Sequence, residues 1–410
     1  MRRLMTIVMM LFAVAVLQAQ TVISGVVLDK HKGKPLSHVS IVTEGKDIYT
    51  VTNSEGRFTL KTDHRPRYIE VSHIGYKTRR VPVADNVTEP LRVLMVNSTV
   101  ELNEVIVSID DPLSIVKAAM SRITQNYPKE TELLRCFYRE TAQRGSQFIC
   151  VAEAVTEMYK SSYQYAADHD AVAILKGRRL MSMKAKDTLG VKIQGGPLVA
   201  IMADVAKNPD YLLNENTFRQ CRLSMEAPVN INDRPHYVIL IHPNKNILYP
   251  QMGGRLYIDR ETYTISRAEL QLDTSDWQIA SEYMLVSKPR GLRFRPKMLS
   301  TTIVYHTDQQ GVTRLNYIRN EMRFNCDWKR RLFARTFTTV SEMVVTDRLE
   351  HGKAVSRPQG RSSFGVKERF YDKVAYFDDP HFWADYNIIE PTESLENSIG
   401  KLKKKVQPTE

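Results

Sequence analysis

The chain has 410 residues, 42% hydrophobic and 25% charged, with a formal net charge of +12. Such a hydrophobic content is ordinary for globular chains and provides a sizeable core, which excludes a wholly disordered protein. The positive balance favours anionic partners over cationic ones.

The N-terminus reads MRRLMTIVMMLFAVAVLQAQ. Arg2 and Arg3 form a basic start, and Leu4 to Leu17 an apolar run of about 14 residues, short of the roughly 20 a spanning helix needs. Residues 1–19 are therefore expected to be a secretory signal cut after Ala19, with an N-terminal anchor as the rival. The first cysteine is Cys136, so lipid attachment at a new N-terminal Cys is not expected. No later segment is apolar for long enough to span a membrane as a helix. Losing Arg2 and Arg3 leaves +10. Export argues against nucleic acid and for anionic headgroups, lipopolysaccharide or cell-wall polymer; the plain alternative is a solvated basic surface.

The remaining residues, about 390, give room for two or three domains. Residues 20–107 read as short strands at 22–29, 36–42, 48–52, 57–61, 67–73, 91–96 and 99–107, separated by Gly, Pro, Asn and Asp clusters. That spacing predicts an antiparallel sandwich. Within it, Asn53, Ser54, Glu55 and Gly56 make a turn, and Phe58 and Leu60 then alternate with polar residues.

A linker helix is expected over 112–125, within 108–130. Asp110 or Asp111 caps it, Pro112 sits in its first turn, and Asn126-Tyr127-Pro128 ends it. From 131 to 376 the pattern is mainly β, with runs at 236–242, 255–259, 262–272, 282–287, 301–307, 314–324 and 332–345. Long consecutive strands with short turns predict a curved antiparallel sheet or half barrel. Residues 168–223 are less regular, with a helix expected at 197–207. In the C-terminal segment, 377–410, Leu395, Ile399, Leu402 and Val406 form a helical stripe, followed by Lys401 and Lys403 to Lys405. The stripe needs a covering surface. Docking on the β domain through Phe382, Trp383, Ile388 and Ile389 is expected, rather than a membrane-lying helix.

Cys136, Cys150, Cys221 and Cys326 allow three full pairings, or free thiols. Cys136 and Cys150 flank Gly145 and are placed to face each other across a hairpin. None of the ten histidines begins HxxE, HxxxH or HExxH, so a zinc carboxypeptidase is not expected. His236 and His242 fall six apart on one strand and share a face. Ser114…Lys117 and Ser398…Lys401 match S-x-x-K but have no KTG partner. GxSxG, P-loop and GxGxxG motifs are absent. Asp378-Asp379 reads as a solvated turn or an N-cap, although a glycosidase carboxylate pair is set by folding rather than spacing. Tyr138, Tyr159, Tyr163, Tyr165, Trp277, Trp328, Phe382, Trp383 and Tyr386 are placed either to line a glycan or lipid groove or to pack as core and rim. Arg178-Arg179 and Lys329-Arg330-Arg331 read as surface charge. No catalytic, cofactor-binding or metal-binding residue is assigned, and no cofactor is called for.

Residues 21–107 resemble the carboxypeptidase-regulatory-like domain, a transthyretin-type sandwich. The resemblance rests on Gly25-Val26-Val27, Asp29, Gly33, Pro35-Leu36, Val39, Thr52-Asn53-Ser54-Glu55-Gly56, Phe58, Leu60 and Ser72-His73-Ile74-Gly75-Tyr76. Asn53 stands where members often carry Asp. The closing LNEVIV is similar to copies in exported Bacteroidetes proteins, including extensions of TonB-dependent transporters. Residues 112–405 resemble an exported Bacteroidetes family without a settled activity, through Asn126-Tyr127-Pro128, Phe137-Tyr138-Arg139-Glu140, Glu153-Ala154, Tyr159-Lys160, Leu175-Lys176-Gly177-Arg178 and the run from Phe382 to Ile389, with Pro391 close behind. Leu256-Tyr257-Ile258-Asp259 with Tyr263 and Ile265 is similar to lipoprotein-carrier-type half barrels.

Three function classes follow. The first is a periplasmic or peripherally attached non-enzymatic envelope protein that binds an outer-membrane protein partner or supports an outer-membrane assembly. The second is a carrier of a lipid, lipoprotein or acylated ligand. The third is an envelope-polymer hydrolase. A contiguous apolar cavity favours the carrier, a serine with a base or convergent carboxylates the hydrolase, and a filled core the partner-binding role.

Overall fold

The computed structural model describes residues 20–45, 48–84, 89–98, 111–182, 191–193, 195–208, 220–244, 251–328, 335–349, 355–365, 368–379, 381, 383–384 and 386–406. The proposed signal at 1–19, the strand expected at 99–107, Asp110, Lys329-Arg330-Arg331, Phe382 and the side chains of Trp328, Lys404, Lys405 and Val406 lie outside them.

The N-terminal part is a sandwich of two small sheets. Strands β1 (Thr21–Asp29), β4 (Arg57–Thr62) and β7 (Leu91–Met95) form one in the order β4-β1-β7. Strands β2 (Ser40–Thr43), β3 (Tyr49–Val51), β5 (Tyr68–Ser72) and β6 (Arg79–Pro82) form the other as β3-β2-β5-β6. β1 pairs parallel with β7; the other pairs are antiparallel. Inward residues of both sheets, among them Ile23, Ile41, Phe58, Leu60 and Ile69, make an apolar core.

The turn before β4 is set by its residue types. The Asn53 Oδ1 accepts from the Glu55 and Arg57 backbone N–H groups at 2.9 and 3.0 Å. Gly56 has φ +73°, and a Cβ there would stand 2.5 Å from the Val27 carbonyl oxygen, so only glycine fits. The strand expected at 36–42 begins only at Ser40, because His38 sits at φ 56°. β6 was not anticipated.

The large sheet contains β8 (Glu132–Arg144), β9 (Gln147–Lys160), β10 (Ala171–Met181), β12 (Cys221–Ile231), β13 (Arg234–Pro243), β14 (Met252–Asp259), β15 (Ile265–Leu272), β17 (Leu292–Thr307), β18 (Thr313–Trp328) and β19 (Arg335–Arg348). All are antiparallel, in the order β10-β9-β8-β19-β18-β17-β15-β14-β13-β12, so the sheet is open, with β10 and β12 at its edges. A small ladder joins β11 (Lys192–Ile193) to β16 (Leu285–Ser287).

Helices and loops cover one face, called the helical face below. They are α1 (Pro112–Ser121), α2 (Ile123–Asn126), α3 (Pro197–Met202), α4 (Trp277–Met284) and α5 (Phe370–Val374). Two buried clusters fill the space beneath, one around Ile115, Tyr127, Ile201, Ile258 and Phe370, the other around Ala280, Met284, Phe294 and Phe324. The opposite face carries the N-terminal sandwich, through Val51 against Phe137, Val155, Tyr317 and Val344. It also carries α6 (Glu393–Val406), whose Leu395, Ile399 and Leu402 are buried against Val151 and Leu180. The apolar stripe of the tail therefore lies on the sheet.

Several expectations need correction. The strand expected at 282–287 is helix in its first half: Asp276 caps α4, accepting from Gln278 and Ile279 N–H at 2.9 and 3.2 Å, and Leu285–Ser287 is extended. The helix expected at 197–207 stops at Met202, after which Asp204 and Lys207 are drawn into a buried ion cluster. That expected at 112–125 divides at Arg122, and Asp111 is its N-cap without a side-chain capping bond. The run from 262 loses its first residues to a turn, with Tyr263 at φ 58°. Cys136 and Cys150 do not face each other. In the β8–β9 register Cys136 opposes Thr156 and Cys150 opposes Ala142, and all four cysteines are free.

Candidate functional site

Chemistry-bearing side chains gather in three places that the fold creates. The first closes the helical face. Lys160 ends β9 and reaches Asp170 at 2.8 Å and Asp204 at 2.9 Å; Lys207 reaches Asp170 at 3.4 Å. Tyr163 and Tyr305 donate to the two Asp204 oxygens at 2.9 and 2.7 Å. All four charges are buried, and each has an opposite neighbour. Burial opposes the Lys160 charge, but Asp170 and Asp204 more than offset it and hold its pKa above the ordinary lysine range. Lys207 is pushed down to about 8 by burial and then by Lys160. With every group paired, this cluster is a staple between the segment after α3 and strands β9 and β17 rather than a reactive centre.

The second place is a polar row across the helical face. Glu140, Ser341, Asn320 and Thr301 stand directly opposite one another on β8, β19, β18 and β17. Tyr138 Oη and the Gly196 backbone N–H both donate to Glu140 Oε1 at 2.7 Å. Thr301 donates to Asn320 Oδ1 at 2.7 Å. Burial raises the Glu140 pKa, although its side chain keeps partial exposure. The Glu140 carboxyl offers acceptors, and the Asn320 amide and Ser341 hydroxyl offer donors, so the row can hold an uncharged polar group.

The third place is the junction between the sandwich and the large sheet. His38 stacks on Tyr317, with ring centroids 5.4 Å apart, and Asn316 donates to Ser40 Oγ at 3.3 Å. Beside them a crevice of ≈30 Å³ is lined by Ser40, Ser72, His73, Asn232, Ser266 and Arg267 among others. Burial, followed by the charge of Arg267, lowers His73 to about 4; burial lowers His38 to about 4 against the opposing pull of Glu342. Ser266 is the extra residue of a β-bulge, between the Tyr257–Arg267 and Ile258–Ile265 pairs. Its Oγ lies 2.8 Å from His236 Nε2, and His236 Nδ1 lies 2.8 Å from the Arg234 carbonyl oxygen. A carbonyl only accepts, so Nδ1 carries the proton and Nε2 accepts from Ser266, the relation of base to nucleophile. A substrate cleft is what the pair lacks, since ≈30 Å³ is room for about two waters.

The residues singled out from sequence are distributed as follows. His236 and His242 lie on β13; His242 Nε2 is 3.0 Å from Ser224 Oγ. Ser398 donates to Ser394 O within its own helix at 2.8 Å, and Ser114 Oγ lies 3.5 Å from Asp111 Oδ2. Asp379 accepts from His381 N–H at 2.9 Å and pairs with Lys176 at 3.2 Å, a turn role. The aromatics do not share one groove: Tyr138 and Tyr163 are core, Tyr165 and Trp277 are exposed, and Trp383 and Tyr386 pack beside Ile389. Arg178 is not free surface charge. Its Nε bonds Glu153 at 2.6 Å, its guanidinium stacks 4.3 Å over Trp383, and Arg139 binds the other Glu153 oxygen at 2.6 Å. Sequence reasoning assigned no role to Glu140, Lys160, Asp170, Asp204, Lys207, Ser266 or Arg267. The available signal was a charge at an inward position of an alternating strand, as in Arg139, Glu140 and Glu153. Among the described residues no cluster of His, Cys, Asp and Glu is arranged to hold a metal ion, and no helix is long and apolar enough to cross a membrane.

No curated protein matches the chain. Among solved structures it is similar to a DUF1329 family protein from Desulfovibrio piger, with 10% identity, 58% of this chain and 94% of that one covered, and a TM-score of 0.23. A LolA superfamily protein from Nitrosomonas europaea gives 14% identity, 58% and 94% coverage and a TM-score of 0.20. Lipovitellin, in a structure titled for its lipid–protein interactions, gives 8% identity, 59% and 27% coverage and a TM-score of 0.26. Residues 23–107 match the family model of the CarboxypepD_reg-like domain, and the N-terminal sandwich is such a domain.

Proposed function

We propose that this is an exported, non-enzymatic envelope protein, periplasmic or peripherally attached, which binds a protein partner through its outer surface or supports an outer-membrane assembly. The observation that carries this reading is the filled helical face. The chain's own helices and loops occupy the side of the sheet where a carrier would hold its cargo, and the Lys160–Asp170–Asp204–Lys207 staple fixes them there. Exposed aromatic residues stand on those covering segments, Tyr165 at 55% and Tyr376 at 65% exposure, the residue type that anchors protein interfaces. The residues of the CarboxypepD_reg-like domain supply turns and core, not reactive groups, in keeping with a non-catalytic role.

One observation favours a second reading, a carrier of a lipid or acylated ligand. The Glu140 row is partly exposed and lies between two apolar clusters, an arrangement able to take an amphiphile's polar group. Purification from native envelope separates the two. The partner reading expects photocrosslinking from position 376 to one defined protein, with no stoichiometric lipid in the extract. Recovery of about one lipid per chain, abolished by Glu140→Leu, overturns it in favour of the carrier.

A further inference from the structure

We propose that the crevice between the N-terminal sandwich and the large sheet is a carboxylate-binding site anchored by Arg267. The proposal goes beyond the partner-binding reading and does not depend on it. Arg267 lies on β15 with its side chain 12% exposed, and its Nε is held by Glu269 Oε1 at 2.8 Å. Its two terminal nitrogens have no partner among the described residues, which leaves the fork that binds a carboxylate through two parallel bonds. No Asp or Glu lines the crevice. Further donors come from both sides of the junction. The Ser40 oxygen accepts from Asn316, so its own proton remains to donate; Ser72 and Asn232 add a hydroxyl and an amide. A volume of ≈30 Å³ is about twice what one water needs, so the two oxygens of a carboxylate fit where four phosphate oxygens do not.

The same place explains how occupancy depends on pH. His38 faces Glu342 on β19, Arg319 on β18 and Arg267 on β15; His73 faces Arg267 and His38. Glu342 is already held by Tyr317 Oη at 2.8 Å and lies 3.8 Å from Arg319. In the empty crevice both imidazoles stay neutral, because burial and the guanidinium charges oppose a further cation. A bound carboxylate supplies the missing negative charge and favours their protonation. Binding therefore tightens on acidification below about 6.5, the ordinary histidine value, until the ligand's own carboxyl protonates near 4.

The test titrates the purified chain with acetate and with acetamide at constant ionic strength, at pH 5.5 and 7.5, following melting temperature and binding heat. Acetate is expected to bind and stabilise, about 3- to 10-fold more tightly at pH 5.5, and acetamide to have no effect. Arg267→Gln should lose the response, and Arg267→Lys should keep part of it. His73→Gln should retain binding at pH 7.5 with a reduced pH dependence, which guards against an Arg267 variant that fails to fold. A short peptide with a free C-terminal carboxylate, compared with its amide, identifies the source. Tighter binding than acetate assigns the site to a chain end, and weaker binding assigns it to a small free acid. The proposal is overturned by an acetate response no larger than that of acetamide or chloride. It also fails if folded Arg267→Gln responds in full, or if inorganic phosphate outcompetes acetate.

Discussion

The N-terminal sandwich and the ten-stranded sheet are held together by different means. The sandwich closes on apolar side chains from both of its sheets, and its turns are fixed by local groups such as Asn53 and by Asp29, which accepts from His31 and Lys32 N–H at 2.8 and 2.7 Å. The large sheet is a platform whose two faces are covered by segments distant in sequence, and those covers are tied down by buried ion clusters. On the helical face Lys160 and Lys207 meet Asp170 and Asp204; on the other, Arg139 and Arg178 meet Glu153, with Arg139 also donating to the Ile389 carbonyl at 2.7 Å. A small domain can rely on packing alone, while a large open sheet needs directional bonds to position what covers it.

The difference is sharpest under substitution. Asp204→Ala should cost the most, about 3–5 kcal/mol, since it leaves Asp170 as the one carboxylate shared by buried Lys160 and Lys207 and leaves two tyrosine hydroxyls unpaired in the interior. Chemical denaturation measures the loss, and a change below about 1 kcal/mol would show that the cluster does not hold the cover. Phe58→Ala in the sandwich should cost a similar amount, about 3–5 kcal/mol, by leaving a cavity instead of a charge, and should be insensitive to salt and pH. A salt-dependent loss there would contradict the apolar account.

Deleting 392–410 comes next. It uncovers Val151 and Leu180 and removes three buried aliphatic side chains, a loss offset in large part by the entropy recovered when the helix is no longer ordered. The melting temperature should fall while binding to anionic liposomes is unchanged. Unchanged stability together with lost liposome binding would restore the membrane-lying helix.

The smallest effect concerns pH. His38 and His73 are neutral in the fold down to about 4, whereas unfolded histidines take up protons near 6.5. The unfolded chain thus binds more protons between these values, and stability falls as pH drops from about 6.5 toward 4. In His38→Gln/His73→Gln the slope of melting temperature against pH over that window should flatten. An identical slope would place the titrating groups elsewhere.

The same contrast decides what could be read from the sequence. The sandwich was legible because its determinants are local: Asn53 through Gly56 specify one turn, and Phe58 and Leu60 alternate over the next four residues. The stripe of Leu395, Ile399 and Leu402 was legible for the same reason. Lys160 and Asp204 were not, because each is an ordinary charged residue until β9, the segment after α3 and β17 are brought together. Ser266 was hidden by a bulge, which breaks the alternation that assigns residues to faces. The strand expected at 282–287 was half legible: Asp276, as a helix cap, outweighed the β-prone Tyr283, while Val286 is extended as expected.

Asn387 bonds the Lys61 backbone in both directions, Oδ1 accepting from its N–H at 2.6 Å and Nδ2 donating to its carbonyl at 2.9 Å, across 326 residues of chain. Asn387 is made long after Lys61, so this contact carries the loop-closure delay of a long-range pairing. Until it forms, the sandwich and the sheet meet only through their direct contacts, such as Val51 against Phe137 and His38 on Tyr317, without the C-terminal segment across them. A chain cut between Val374 and Asn387 therefore keeps the strands and cores of both parts but loses this bond, and its junction is expected to open to proteases more readily than that of a chain which retains Asn387.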